Sequence, residues 1–138
     1  MIMKYTDFVL DHVPPGGGYR EAGQWIWCGA PVHEPGRGFH LYASRWSQKY
    51  PMLKGYVMFS EIVHAFSEEL TGSYHYLETI LPNGNPAQWN GRMAHNPVVV
   101  RWKNQYLLYY IGSTYPGKAP LPGELEDSPE VISTYDRI

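Results

Sequence analysis

Phe39-His40-Leu41-Tyr42-Ala43-Ser44-Arg45-Trp46 alternates residue by residue. Phe39, Leu41, Ala43 and Arg45 fall on one side, and His40, Tyr42, Ser44 and Trp46 on the other. A period of two marks a strand whose two faces meet different surroundings. Upstream, Trp25 to Val32 reads as a strand, set off from a leader by Pro14, Pro15 and Gly16 to Gly18. Downstream, Ser47 to Met58 carries Pro51 and Gly55 and reads as a loop. Phe59 to Ser67 follows as a strand with Ile62, His64 and Phe66 on one face and Glu61, Val63 and Ala65 on the other. Thr71 and Gly72 turn the chain into Tyr74 to Leu81, which completes a four-stranded antiparallel meander.

Composition agrees. Among 138 residues, 43% are hydrophobic and 17% charged, as expected of a folded chain rather than a disordered one. The 14 glycines, 12 prolines and 12 tyrosines favour short strands joined by tight turns over a helical bundle. A net charge of -2 with no basic cluster offers no surface for nucleic acid. The lone Cys28 excludes an internal disulfide, and no apolar run approaches the roughly 20 residues of a membrane span. Met1 to Val13 shows no secretory pattern, which leaves localisation open with the cytoplasm as default.

A second unit follows a polar stretch, Pro82 to Gly91. Asn96 to Trp102 and Gln105 to Gly112 form a hairpin around Lys103 and Asn104. Ser113 to Ser133 reads as a long loop with Glu124, Glu126 and Asp127, and Thr134 to Ile138 begins to look extended. Pro31-Val32 followed by Phe39, Leu41 and Tyr42 recurs as Pro97-Val98 followed by Tyr106, Leu108 and Tyr109, at offsets of 66 for the first pair and 67 for the rest. A repeated meander with a period above about 40 residues is how propeller blades appear in sequence, each burying its faces against its neighbours. The alternative is one small sandwich in which the repeat is chance. The propeller division is a leader over 1–24, a first blade over 25–81, a connecting loop over 82–95 and an incomplete second blade over 96–138. Third-strand alignment sets Ile62 against Ile138, about one and a half blades in all.

Trp25-Ile26-Trp27-Cys28-Gly29, His40 to Trp46, Ser60-Glu61-Ile62-Val63-His64-Ala65, Trp89 to Pro97 and Tyr106 to Tyr110 occur in an order and spacing that resemble the N-terminal part of glycoside hydrolase family 43-like proteins, five-bladed β-propellers. The resemblance covers residues 23–112 and implies glycosidic-bond hydrolysis by a pair of carboxylates across an oxocarbenium-like transition state. It implies no cofactor, an oligosaccharide or glycoside as partner, and a chain that continues past Ile138. As an isolated piece it is expected to be inactive.

Glu61, at the start of a strand and ahead of apolar residues, is the nominated acid, where partial burial can favour the protonated form; the competing reading pairs it with Arg45. Family relatives often carry Asp before the strand proline and in the Trp-x-Gly position, whereas here Ala30, Asn96 and Asn90 stand there. None of these can exchange a proton. Trp27, Arg45, Trp46, His95 and Asn96 are the nominated sugar-binding residues, indoles stacking on pyranose faces and polar groups binding hydroxyls. For each the plainer alternative is packing or a strand-entry turn. A non-catalytic carbohydrate-binding propeller is the second function, favoured by the missing acids. A cupin-type metal barrel is suggested by His33, Glu34, His40, His64 and His75, but cupin ligand spacing is absent, so no metal is assigned. Open blade edges predict self-association.

Overall fold

The computed structural model describes residues 14–125. The chain forms β1 (Gly18–Tyr19), β2 (Gln24–Glu34), β3 (Gly38–Ser47), α1 (Met52–Phe59), β4 (Glu61–Ser67), β5 (Ser73–Leu81), β6 (Met93–Trp102) and β7 (Gln105–Ser113). Strands β2 to β5 make consecutive antiparallel pairs, β1 adds to the outer edge of β5 in parallel, and β6 with β7 makes a separate two-stranded sheet. The all-β reading holds.

The alternation read from Phe39 to Trp46 sorts the meander into two environments. Ala43 pairs with Val63 and Leu41 with Ala65, and these pack with Tyr19, Tyr74, Ile26 and Phe39 into one apolar cluster. The opposite face carries His40, Tyr42, Ser44, Trp46, Ile62 and His64. Strand β6 lies against β2, β3 and β4. There the Asn96 N–H donates to Ser44 Oγ at 3.0 Å and the Ala94 N–H to the Ser60 carbonyl at 2.9 Å.

Pairing register makes the repeat a structural one and corrects its offset. The β2–β3 ladder is interrupted between Trp27 and Ala30, and the β6–β7 ladder between His95 and Val98, 68 residues later. Each interruption holds one residue at φ 52°, Cys28 in the first and Asn96 in the second. Matching Pro31-Val32 with Pro97-Val98 misplaces the first strands by two, whereas Ala30 opposite Tyr42 and Val98 opposite Tyr109 retain the 67 offset of the second strands.

Three local expectations are overturned. The stretch 47–58 is not all loop: α1 forms after Pro51, whose φ of -55° is already set for a helix entrance. The Gly55 N–H closes the first turn on the Pro51 carbonyl at 2.8 Å. Helix α1 is held by tertiary burial, because Met58 packs with Tyr115 and Leu125, bordered by Tyr50, Val57 and Phe59. Strand β6 starts at Met93, within the expected connecting loop, since Met93 and Ala94 are buried and pair with Ser113 and Gly112. The segment read as a leader contributes to the sheet itself; Gly18–Tyr19 extends it by a strand. The alignment of Ile62 with Ile138 and the extended reading of 134–138 fall outside the described residues.

Candidate functional site

The ends of the two first strands gather polar and aromatic side chains. His95, 6% exposed, lies with its ring stacked 4.2 Å from that of Tyr56, and its Nδ1 sits 3.5 Å from Ser60 Oγ. Burial disfavours the imidazolium and pushes the His95 pKa down, partly opposed by a hydrogen bond with the Tyr56 backbone. Asn96, in the left-handed region that asparagine tolerates, accepts a hydrogen bond from the Tyr56 hydroxyl on Oδ1. Trp46, 3% exposed, also packs on Tyr56, with ring centroids 5.2 Å apart. Trp27, at the matching interruption of β2, is 45% exposed and has its indole open to solvent. Four of the nominated residues thus lie on the face where β6 meets the meander, Trp46 as a buried support rather than an exposed platform.

Arg45 and Glu61 lie on the opposite face. Arg45 donates from Nε and Nη2 to Glu61 Oε1 at 3.0 and 2.5 Å, from Nη1 to Glu21 Oε2 at 2.8 Å, and from Nη2 to Thr79 Oγ1 at 3.0 Å. Tyr19 donates to Glu21 Oε2 at 2.5 Å. Burial works against the Glu21 carboxylate, but the bonds from Tyr19 and Arg45 outweigh it and hold its pKa below the usual value. Glu61 therefore occupies the ion-paired environment weighed against its acid role. It also follows Ser60, the contact of His95, directly in the chain. Asn90 donates to the Tyr110 hydroxyl at 2.9 Å, and Trp89 stacks on Tyr110, so the Trp-x-Gly segment braces β7.

A further polar chain joins three of the residues named for the cupin alternative, Glu34, His40 and His64, to Glu78, which went unread in the sequence. Glu34 Oε2 lies 2.7 Å from His40 Nε2, His40 Nδ1 lies 2.7 Å from His64 Nε2, and His64 Nδ1 lies 3.2 Å from Glu78 Oε1. The His40 hydrogen bond, assisted by Arg37, holds Glu34 below the usual carboxylate range. This chain crosses all four strands of the meander and borders a cavity of about 170 Å³ lined by Val32, Glu34, His40, Tyr42, His64 and Tyr106. Alternation already placed His40 and His64 on like faces of their strands. What it could not supply was the register, Tyr42 opposite His64, that sets the two rings diagonally side by side. Tyr56 was missed because it rides on the unread helix. Among the described residues no three His, Cys, Asp or Glu side chains converge as a metal site.

No family model matches the chain, and no curated protein does. Among solved structures it is similar to a family 117 glycoside hydrolase produced by the marine bacterium Zobellia galactanivorans, with a TM-score of 0.57 and 20% identity. The likeness covers 83% of this chain and 36% of that one, so this chain spans little more than a third of the enzyme's length. The fold is glycoside hydrolase-like over that part of the neighbour; the more specific expectation of family 43 finds no match. The likeness is one of architecture, and the roles of individual side chains rest on the geometry above.

Proposed function

We propose that the chain is part of a carbohydrate-active propeller that hydrolyses glycosidic bonds, with its carboxylate acids supplied elsewhere in the propeller, since Glu61 lies on the sheet face opposite the saccharide-holding residues in an ion pair with Arg45. Saccharide is held at the bulged ends of the first strands by Trp27, His95 and Asn96. The observation that carries this reading is the pairing of a glycoside hydrolase fold with the matched interruptions at Cys28 and Asn96. An αL residue at each turns the local backbone out of the ladder and re-aims the flanking side chains, a device common beside binding sites. Tyr56 fixes the Asn96 amide so that its Nδ2 remains to donate to a hydroxyl. Arg45 holds Glu61 by one oxygen. Arg45 and Trp46 then act as supports, the first tying Glu61 to Glu21 and the second packing on Tyr56.

A non-catalytic binding protein is the second reading, favoured by the amides at Asn90 and Asn96 and by the hold of Arg45 on Glu61. Hydrolysis of a panel of aryl glycosides by the whole propeller that carries this chain, with calorimetric titration of the corresponding oligosaccharides, separates the two. The enzyme reading expects turnover by the whole propeller that falls in Trp27→Ala and Asn96→Ala through weaker sugar binding and is unchanged in Glu61→Gln. Binding without turnover supports the second reading, and neither binding nor turnover overturns both.

A further inference from the structure

The loop from Pro82 to Gly91 carries no charged side chain and four primary amides, Asn83, Asn85, Gln88 and Asn90, around a single indole, Trp89. It is exposed from Pro82 to Trp89 and yet closely tied. The Gly84 N–H donates to the Gly91 carbonyl at 2.6 Å, and the Gln88 and Ala87 N–H groups donate to the Asn85 carbonyl and Oδ1, each at 3.1 Å. Asn83 Nδ2 donates to the Phe59 carbonyl at the end of α1, and Thr114 Oγ1 to the Pro86 carbonyl at 3.2 Å. A Cβ on Gly91 would run into the Asn85 carbonyl, so the loop closes on a residue without a side chain.

Trp89 is fixed from behind. Its ring stacks on Tyr110 at 5.6 Å with an interplanar angle of 23°, and the Asn90 amide donates to the Tyr110 hydroxyl at 2.9 Å, which holds the supporting ring. The indole also lies so close to Gly112 that a Cβ there would be 2.7 Å from Trp89 Cζ3. Even so the residue is 63% exposed. An indole already held in one orientation loses little further freedom when a ligand stacks on it, and its apolar surface is still in contact with water. Tyr110 and Gly112 share a face of β7 with Tyr106, which borders the cavity against β2 and β3. Trp89 therefore stands on the side of the second sheet that meets the meander, and Gly112 pairs with Ala94, the neighbour of His95.

We propose that Trp89, flanked by the Gln88 and Asn85 amides, is a further sugar-stacking subsite, which takes an uncharged pyranose unit of the oligosaccharide held by Trp27, His95 and Asn96. The inference rests on the carbohydrate reading and names the class of its ligand. An indole face matches the C–H face of a pyranose. Primary amides both donate and accept, as sugar hydroxyls do, and the Gln88 amide and Asn85 Nδ2 are unpartnered among the described residues. A loop without charge offers no counter-ion to an acidic or amino sugar. Arg92, the next residue after the loop, is committed to the Gly117 carbonyl at 2.7 Å and to the Tyr115 ring.

The test uses the whole propeller that carries this chain, with uncharged gluco-, galacto- and xylo-oligosaccharides of one to four units. Calorimetric titration is expected to show affinity rising with length. Trp89→Ala should cancel that rise, a loss of about 10-fold for the longest ligand with monosaccharide binding intact. Trp89→Phe, which keeps a ring on Tyr110, should restore most of it, and Gln88→Ala should weaken it about 3-fold. Indole Nε1–H resonances of the unsubstituted propeller give a reading independent of whether the variants fold: the Trp89 signal should move with the longer ligands and not with a monosaccharide. Sugar binding that Trp27→Ala abolishes and Trp89→Ala leaves alone overturns this inference while the carbohydrate reading stands. A Trp89 signal that a soluble paramagnetic probe cannot broaden in the sugar-free propeller means that protein covers the indole, and overturns it too. Absence of any saccharide binding removes the carbohydrate reading and this inference with it.

Discussion

Gly55 sits where a side chain has no space: a Cβ there would lie 2.7 Å from Trp46 Cδ1 and 3.0 Å from its Nε1. The closeness keeps α1 flush on β3, with Tyr56 in contact with both Trp46 and His95. Gly55→Ala relieves the helix of a flexible residue, a gain of about 1 kcal/mol, but forces the indole or the helix to move. A net loss of about 1–2 kcal/mol is expected in urea unfolding, as a lower midpoint at unchanged slope. His95 sets a pH dependence of definite sign. Its folded pKa lies below the ordinary histidine value of 6.5, so the unfolded chain binds the proton more readily. The stability it contributes is complete above that value and is lost as pH falls below it. The slope of unfolding free energy with pH should be shallower in His95→Gln between pH about 6.5 and 5.

At the level of elements, the paired interruptions of β2 and β6 define the unit that is repeated. Asn96 at φ 52° bears both a backbone demand and a side-chain bond to Tyr56. Asn96→Gly loses the bond alone, whereas Asn96→Ala loses it and also places a Cβ in the left-handed region. The alanine variant should be the less stable of the two by about 1 kcal/mol in matched urea titrations. The strands were legible because their faces meet unlike surroundings; Phe39 to Trp46 alternates since the Ala43 side packs on Val63 and the Ser44 side meets β6. Helix α1 was not legible. Eight residues with a glycine in the middle have little helical preference, and their burial comes from Tyr115 and Leu125, more than 50 positions away. The start of β6 was hidden likewise, because what pairs Met93 is the far end of β7.

For the molecule as a whole, the meander is covered by β6 on one face and by Tyr19 on the other, while the second sheet has one side open. Val98, Val100, Trp102, Tyr109 and Ile111 alternate along β6 and β7 and are all exposed. An apolar strip of this kind beside unpaired strand edges is a site of association. Sedimentation at rising concentration should show mass growing beyond the monomer, and Tyr109→Lys with Ile111→Lys should reduce it while leaving the far-ultraviolet spectrum intact. A single sharp monomer boundary at every concentration would contradict this. The candidate site was legible in part for the same reason as the fold. His95 and Asn96 announced themselves by position, at a strand start before Pro97, whereas Glu21, Glu78 and Tyr56 join their clusters only through register and helix packing. Cys28 is the sole thiol in the sequence, is exposed, and stands in β2 where Asn96 stands in β6. A maleimide dye would thus attach at one place only, beside the Trp27 indole, turning an accident of composition into a fluorescent gauge of whatever settles on that end of the sheet.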